Sequence, residues 1–378
     1  MSMLRMASAA FAGLLVTTSL SYAGPNVVSG PGADPACFAP WNTETKYFQW
    51  DARPGPYRIA VVNGYLGNTW HIQMIKTAKA FAEDPAIKDK IAEFKVVSTG
   101  SDAPAQLDVI EDFINQGFDA IVTIAVSPEG FERVIGLADR ENVVIVPFDN
   151  VLDTEAVMQV HEDQLEMGRQ WARFVLKEMD ARGKTSGKIL EVRGLAGDPI
   201  DSDRSSGIHE VFDATPGPWE IVHVVGNWDE GTAQKVTADA IAVHGAFDAV
   251  ITQGGSTGTL QALLDAKHPL VPIGGAAENG FRKLVAKYSG EGLAGLSTGQ
   301  SPGLVAISMK AAISALEGNV MPQLISVPLP SVDYTALRDG TNFWTDQPDN
   351  FFAANEFPPC GVNISGPAIM AQTEENVQ

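Results

Sequence analysis

The chain has 378 residues, of which 45% are hydrophobic, 19% charged and 8% aromatic. That composition is typical of a folded globular protein with room for two domains of ordinary size. The formal net charge is −20, which argues against nucleic acid or an anionic lipid surface as a partner because both are themselves negatively charged.

The first 23 residues read as an export signal. A short basic segment ending at Arg5 precedes an apolar run over 7–16, and Ser21-Tyr-Ala23 has the small-x-small form of a cleavage site. The apolar run is too short to span a membrane, and no cysteine follows the cleavage site to carry a lipid. We therefore expect a signal peptide over 1–23, cleavage after Ala23 and a soluble mature protein in the periplasm.

The chain has two cysteines, Cys37 and Cys360, one near each end of the mature protein. Two thiols with no histidine nearby in sequence are too few for a structural zinc site. In an oxidising compartment an even pair favours a disulfide over a metal site. If they pair, they join an N-terminal arm, predicted over 24–55, to a C-terminal tail over 341–378.

From Tyr57 onward, short apolar segments alternate with helical periodicity, which predicts a parallel sheet covered on both faces. Predicted strands of the first series lie at 59–62, 94–97, 118–126 and 143–148, with helices from about 70 to 81 and at 103–116 and 130–142. In the second series, strands are predicted at 188–192, 221–225, 249–252 and 270–273, with helices at 165–179, 202–212, 231–243, 258–266 and 278–288. The sequence therefore predicts two doubly wound α/β lobes.

The two lobes are predicted to be joined by a hinge of three crossings. The segment 157–163 is predicted as the first crossing, and strands at 293–296 and 325–329 flank a helix over 303–316 that would return the chain. We assign 56–162 with 301–322 to the N-terminal lobe and 163–300 with 323–340 to the C-terminal lobe. Two lobes joined by several crossings leave a cleft, which is the natural ligand site.

The loop after the first strand carries side chains suited to a small polar ligand. Asn68, Trp70 and His71 lie at the carboxyl end of a predicted strand, where open α/β sheets bind ligands. An amide, an indole and an imidazole can stack on such a molecule and hydrogen-bond it. The alternative is that Trp70 and His71 only cap the following helix and pack on the sheet.

No motif supports catalysis. Gly183-Lys-Thr-Ser-Gly-Lys188 lacks the leading glycine and the preceding strand of a P-loop, so a surface turn is favoured. Gly254-Gly-Ser-Thr-Gly258 follows a predicted strand and opens a helix, as an anion-binding turn does, but lacks the G-x-G-x-x-G spacing. The pattern G-x-S-x-G occurs three times, at 254–258, 295–299 and 299–303, and so short a pattern recurs by chance in a chain with 36 glycines. The sequence contains no H-E-x-x-H, and its six histidines are scattered. We predict no enzymatic activity, no cofactor and no metal.

The order of these motifs resembles that of periplasmic solute-binding proteins of the type I, ribose-binding-like family, which serve bacterial sugar ABC transporters. The resemblance runs from about Tyr57 to about Leu329. Val61-Val-Asn63 with Asn68-Thr-Trp70-His71 is similar to the family's first strand and loop, where an asparagine and two aromatic residues hold the sugar. His71 stands in place of the second aromatic, which implies a different ligand face.

Further segments extend the resemblance. Pro147-Phe-Asp149-Asn150 resembles an Asp-Arg pair whose aspartate accepts hydrogen bonds from sugar hydroxyls, with Asn150 replacing the arginine. In the second lobe, Arg204, Trp228 and Gln300 match an arginine, a closing aromatic and a hinge glutamine that contact ligand. Two positions depart from the pattern. Gly254 stands where an asparagine is usual, and Glu278 or Asn279 would have to replace a displaced aspartate.

The resemblance implies a two-lobed receptor that closes over a monosaccharide or polyol and presents it to an ABC transporter permease, with a chemoreceptor as a further candidate partner. We expect a monomer. Transcription repressors with the same lobes begin with a DNA-binding segment, where this chain has a signal sequence. Two alternatives stay open. One is a receptor for a non-sugar small molecule, and the other is an exported α/β sugar-processing enzyme using the carboxylates of Asp149 and Glu278.

Overall fold

The computed structural model describes residues 24–64, 67–299 and 301–377. The predicted signal peptide and Gln300 lie outside these described residues. The strands, in chain order, are β1 (Asn26–Val28), β2 (Ala39–Pro40), β3 (Tyr47–Gln49), β4 (Tyr57–Asn63), β5 (Ile91–Ser98), β6 (Ala120–Ile124), β7 (Val144–Pro147), β8 (Gln159–Glu162), β9 (Gly187–Arg193), β10 (Trp219–Val225), β11 (Ala249–Thr252), β12 (Ile273–Gly275), β13 (Gly295–Thr298), β14 (Met321–Pro322), β15 (Leu324–Val327), β16 (Ser331–Asp333), β17 (Glu356–Phe357) and β18 (Val362–Asn363).

The α-helices alternate with the longer strands. They are α1 (Thr69–Ala82), α2 (Ala103–Asn115), α3 (Glu132–Glu141), α4 (Gln164–Ala181), α5 (Pro199–Ala214), α6 (Glu230–His244), α7 (Ser256–Asp265), α8 (Asn279–Tyr288), α9 (Leu304–Leu316) and α10 (Gly366–Met370). No helix within the described ranges is long and apolar enough to cross a membrane.

The first lobe is a parallel sheet with the strand order β5-β4-β6-β7. Alternate residues of β4 face opposite layers. Ile59 and Val61 pack in one core with residues of α1 and α9, whereas Ala60 and Val62 pack in another with residues of α2 and α3. Helices therefore cover both faces, which is why the strand is apolar without alternation over 59–62.

The second lobe is a sheet with the order β10-β9-β11-β12-β13-β16, parallel except for its last strand. Residues of α4 and α5 pack on one face and residues of α6, α7 and α8 on the other. The strand predicted at 270–273 begins later, at Ile273. Pro272 precedes it and has no N–H to donate to a neighbouring strand. Within the strand, a side chain at Gly274 would meet Trp171 at 2.8 Å, and the indole of Trp171 donates to the Gly275 carbonyl at 3.1 Å.

The chain passes between the lobes three times, through β8, through the segment between β13 and α9, and through β15. Strands β8 and β15 pair in parallel, and Phe148 at the end of β7 bridges to Val160 of β8. The predicted architecture of two doubly wound lobes with a three-crossing hinge is confirmed. The exact domain boundaries stay a prediction.

The arm and the tail lie against this frame. Strand β2 of the arm pairs with the hinge strand β15, and β3 pairs with β14. The predicted disulfide between Cys37 and Cys360 is confirmed, with the two Cα atoms 4.5 Å apart. Beyond this bond, the tail has extensive hydrogen bonds to α1 and to the start of α8.

Candidate functional site

Helix α5 carries Arg204 into the interior because it packs very closely on α4. A Cβ atom at Gly168 of α4 would lie 2.1 Å from the carbonyl oxygen of Arg204, and a Cβ at Gly207 would lie 2.0 Å from that of Leu165. Only glycine allows the two backbones to approach this far. The side chain of Arg204 is consequently only 1% exposed.

The guanidinium of Arg204 is held by polar groups of two other segments. Its Nε and one terminal nitrogen donate to Oε1 of Gln164 at 2.8 and 2.6 Å, and its other terminal nitrogen donates to the carbonyl of Gln253 at 3.2 Å. It also lies 5.8 Å from the ring centroid of Trp228. The planar fork is therefore fixed in one orientation.

Several carboxylates surround this buried cation. Burial lowers the pKa of Arg204 to about 10, while the negative charges of nearby carboxylates raise it, so the group stays charged at neutral pH. These carboxylates belong to Asp149, Glu162, Asp198 and Asp201. Because Asp201 is itself paired with Arg193, the carboxylates of Asp149, Glu162 and Asp198 are the ones that compensate the charge of Arg204.

Asp149 lies at the carboxyl end of β7 in the first lobe, opposite Arg204. Its backbone is left-handed, with φ at 61°, and its N–H donates to the carbonyl of Val160 at 3.1 Å. Burial raises its pKa to about 6, with the charge of Arg204 opposing the shift and that of Asp198 adding to it. The two predicted site residues from opposite lobes are therefore electrostatically coupled.

Trp228 closes the other side of this region from a tight loop. Its φ is 54°, and its indole lies directly over the backbones of Gly194 and Gly254, where added Cβ atoms would meet it at 2.1 and 2.9 Å. This contact explains why glycine rather than asparagine stands at 254. The indole Nε1 is buried and has no hydrogen-bond partner within the described part of the chain.

Because Gly194 lies beneath the indole, Gly194→Ala tests the position of Trp228. The added methyl group must displace the ring, and we expect the free energy of unfolding to fall by about 1–3 kcal/mol, with a changed tryptophan emission maximum. Urea denaturation followed by fluorescence measures both effects. Gly231→Ala is the matched control, since its Cβ would lie 3.6 Å from the nearest atom. Equal stability of the two variants would contradict the proposed contact.

Two further side chains at this site were not found from the sequence. Gln164 and Gln253 are 1% and 0% exposed, and Nε2 of the first and Oε1 of the second have no hydrogen-bond partner among the described residues. A buried donor and a buried acceptor beside Arg204 fit a ligand that offers both kinds of group. Nothing local in the sequence marks them, because the helix packing brings them together.

The structure places Glu278 in a different setting. Its carboxylate accepts hydrogen bonds from the backbone N–H groups of Ser256 and Thr257 at 3.0 and 2.7 Å, and from the Thr257 hydroxyl at 2.9 Å. It thereby supplies hydrogen-bond acceptors to the backbone N–H groups in the first turn of α7. The neighbouring Asn279 hydrogen-bonds the tail at Trp344. These contacts favour a structural role, and ligand contact by Glu278 stays a prediction.

The remaining predicted residues lie in the first lobe. Asn68 caps α1, since its side-chain oxygen accepts from the backbone N–H of His71 at 3.0 Å and contacts its ring nitrogen at 2.8 Å. Burial lowers the pKa of His71 to about 4. Trp70 is 9% exposed and packs in the first-lobe core, while Asn150 donates to the carbonyl of Ala125 at 3.0 Å. Their roles in ligand binding stay predictions, and Gln300 lies outside the described residues.

The raised pKa of Asp149 makes stability depend on pH. Its pKa is about 6 in the folded protein against an ordinary value of 3.8, so the folded state holds this proton more tightly. The bound proton therefore stabilises the folded state fully at pH values below 3.8, the ordinary pKa. This stabilisation is lost as the pH rises through about 6. In urea titrations at successive pH values, we expect the free energy of unfolding of Asp149→Asn to fall less with rising pH than that of the wild type. The same pH dependence in both proteins would contradict the raised pKa of Asp149.

Known proteins are similar to this chain in sequence. The periplasmic binding protein domain matches residues 59–319. A xylitol-binding protein of Mycolicibacterium smegmatis is 25% identical over 47% of this chain and 51% of its own length. A D-ribose/D-allose-binding protein of Pseudomonas aeruginosa is 25% identical over 50% of this chain and 60% of its own length. The chain thus spans about half to three fifths of these two relatives.

A solved structure shows the same fold. The periplasmic solute-binding protein of an ABC transporter from Actinobacillus succinogenes 130z, with bound D-allose, superposes with a TM-score of 0.62 at 20% identity. The match covers 74% of this chain and 98% of that one. The matched family consists of non-catalytic solute-binding proteins. Since the domain match covers more than half of its residues, the chain belongs to the periplasmic binding protein family.

Proposed function

We propose that this protein is a periplasmic receptor that binds a monosaccharide or polyol in the cleft between its lobes and delivers it to the permease of an ABC transporter. The observation that carries the proposal is the convergence of Asp149 from the first lobe with Arg204 and Trp228 from the second. One curated relative is named for xylitol and another for D-ribose and D-allose, and these names support the same class of ligand.

Each group has a defined part in holding a polyol. The carboxylate of Asp149 accepts hydrogen bonds from two hydroxyl groups, and the guanidinium of Arg204 donates to hydroxyl oxygens. The indole of Trp228 packs against the C–H face of the ligand and donates through Nε1. Gln164 and Gln253 add one donor and one acceptor. Asn68, Trp70, His71, Asn150 and Gln300 are further candidates on the sequence resemblance.

The charge balance favours an uncharged ligand. Arg204, the buried cation of this site, is already compensated by the surrounding carboxylates, including Asp149 and Glu162. A sugar acid or sugar phosphate would bring a further negative charge into a low-dielectric site without a free partner. We therefore expect neutral sugars and polyols to bind and their carboxylated or phosphorylated derivatives to be rejected.

Binding groups contributed by both lobes make the closed form the complete site. A ligand that contacts Asp149 and Arg204 together stabilises the closed arrangement by its additional contacts there. The closed surface is what a permease, or a chemoreceptor, recognises. Export through the signal sequence at 1–23 would place a monomeric receptor in the periplasm.

A thermal-shift screen of the purified protein tests this function. The panel contains D-ribose, D-allose, L-arabinose, D-fructose, xylitol, glycerol and myo-inositol, with gluconate, ribose 5-phosphate and amino acids as charged or non-sugar comparisons. The protein is first unfolded and refolded to remove co-purified ligand. A hundredfold excess over the dissociation constant stabilises the native state by about 2.7 kcal/mol, so a neutral sugar or polyol should raise the melting temperature clearly.

Variants separate specific binding from general stabilisation. The shift should disappear in Asp149→Ala and Trp228→Ala and persist in Trp219→Ala, a control in which the lost indole packs on Phe212 away from the cleft. A shift only with amino acids would replace the sugar by a non-sugar ligand. No shift with any neutral sugar or polyol would overturn the proposal.

A further inference from the structure

The N-terminal arm contributes an aromatic side chain to the hinge. Strand β2 pairs with β15, and directly after it the backbone N–H of Trp41 donates to the carbonyl of Leu324 at 3.0 Å. Trp41 is therefore fixed at the edge of the hinge sheet. It lies outside the matched family domain, which begins at residue 59.

The ring of Trp41 lies on the imidazole of His161 in β8. The ring centroids are 5.3 Å apart and the planes are inclined by 32°. His161 is 9% exposed. Its neighbour across the hinge sheet, in β15, is Ser326. Because the serine side chain is small, the indole of Trp41 can reach across β15 to the imidazole. The contact joins the arm to the first crossing between the lobes.

His161 in turn holds the backbone of Asp149. Its imidazole lies beside the backbone of Asp149, which acts to raise the pKa of His161 against the larger lowering by burial. The preceding residue, Val160, accepts from the N–H of Asp149 at 3.1 Å. Strand β8 therefore holds the N–H of Asp149, and its next side chain, His161, packs beside the same backbone.

Asp149 needs such support because its backbone is left-handed, at φ 61°. A non-glycine residue in this conformation persists only when its surroundings fix it. The orientation of its carboxylate relative to Arg204 and to Asp198 at the start of α5 depends on that backbone. His161 faces Asp163 at the start of α4 and Arg204 as its other charged neighbours.

We propose that Trp41 is a positioning residue for the ligand-binding carboxylate of Asp149, acting through His161. The inference rests on the proposed sugar-binding function and adds that the family domain alone does not complete the site. Without the indole, the imidazole gains rotational freedom, the backbone of Asp149 loses a fixed neighbour, and its carboxylate no longer faces the ligand in one orientation.

A double-mutant cycle tests this coupling by isothermal titration of the sugar that binds tightest in the panel above. We expect Trp41→Ala to weaken binding roughly tenfold and Trp41→Phe, which retains a stacking ring, to restore most of the affinity. In the Asp149→Asn background, Trp41→Ala should have little further effect, because the carboxylate that it positions is absent. Trp219→Ala should leave affinity unchanged.

The outcomes separate the two proposals. A wild-type protein that binds no sugar in the panel overturns the proposed function and this inference with it. Wild-type affinity in Trp41→Ala overturns the inference alone. The inference is also overturned if Trp41→Ala lowers the affinity by the same factor in the wild-type and Asp149→Asn backgrounds, because the indole would then act independently of the carboxylate. If Trp41→Ala fails to fold, the same cycle with Trp41→Leu decides between these results.

Discussion

Replacing Arg204 by methionine is expected to abolish ligand binding and to destabilise the protein. The guanidinium is 1% exposed and donates to Gln164 and to the carbonyl of Gln253. Removing it leaves those acceptors without their donor. It also leaves the surrounding carboxylates without the positive charge that compensates them. Loss of one member of a buried charged network costs about 3–5 kcal/mol of stability. For the ligand we expect roughly a hundredfold or greater loss of affinity.

Two measurements separate the effects on folding and on binding. Urea denaturation gives the stability of Arg204→Met, and isothermal titration gives its affinity under conditions where it is folded. Arg204→Lys is the matched variant, because it keeps the charge and loses the planar fork. We expect it to fold and still bind weakly. A folded Arg204→Lys protein with wild-type affinity would show that the fork does not contact the ligand.

The sequence was sufficient to predict the elements that local patterns determine. The apolar β-branched run of β4, the polar loop after it and the alternation of strands and helices each depend on residues close together in the chain. The two lobes and their crossings follow from counting those units. The disulfide followed from the presence of only two cysteines in a chain predicted to be exported.

The site was less predictable, because its geometry depends on contacts between distant segments. Gln164 and Gln253 meet Arg204 only because glycines let α4 and α5 approach. Gly254 departs from the family pattern because the indole of Trp228 takes that space. No sequence pattern reveals that Glu278, predicted as a ligand contact, accepts hydrogen bonds from the start of α7. Local patterns thus indicate where a site lies, and packing decides which side chains complete it.

The tail joins the two lobes, independently of the three hinge crossings. On the second lobe, the N–H of Asn279 donates to the carbonyl of Phe351 and the N–H of Ala353 donates to the carbonyl of Ala277, each at 2.7 Å. Between these two bonds, the N–H of Phe352 donates to Gln73 of α1 in the first lobe, also at 2.7 Å. Any separation of the lobes must therefore strain or break these contacts.

The Cys37–Cys360 bond anchors this tail to the arm, so its removal is expected to have the second large effect. Cys37→Ala with Cys360→Ala opens a link between residues 323 positions apart. Loss of a native disulfide typically lowers the free energy of unfolding by about 2–5 kcal/mol, since the unfolded chain is no longer constrained. Calorimetry should give the same lowered melting temperature for the variant and for the reduced wild type.

Hydrogen exchange shows where the stability is lost. Because the segment 349–363 is held by the disulfide near its C-terminal end and by hydrogen bonds to both lobes near its start, we expect faster exchange over 349–363 in the double alanine variant. The strands β4 and β9, buried within their sheets, should exchange as in the wild type. Unchanged exchange over 349–363 together with an unchanged melting temperature would mean that the non-covalent contacts alone hold the tail. The lobes would then remain joined at Phe352 without the covalent bond.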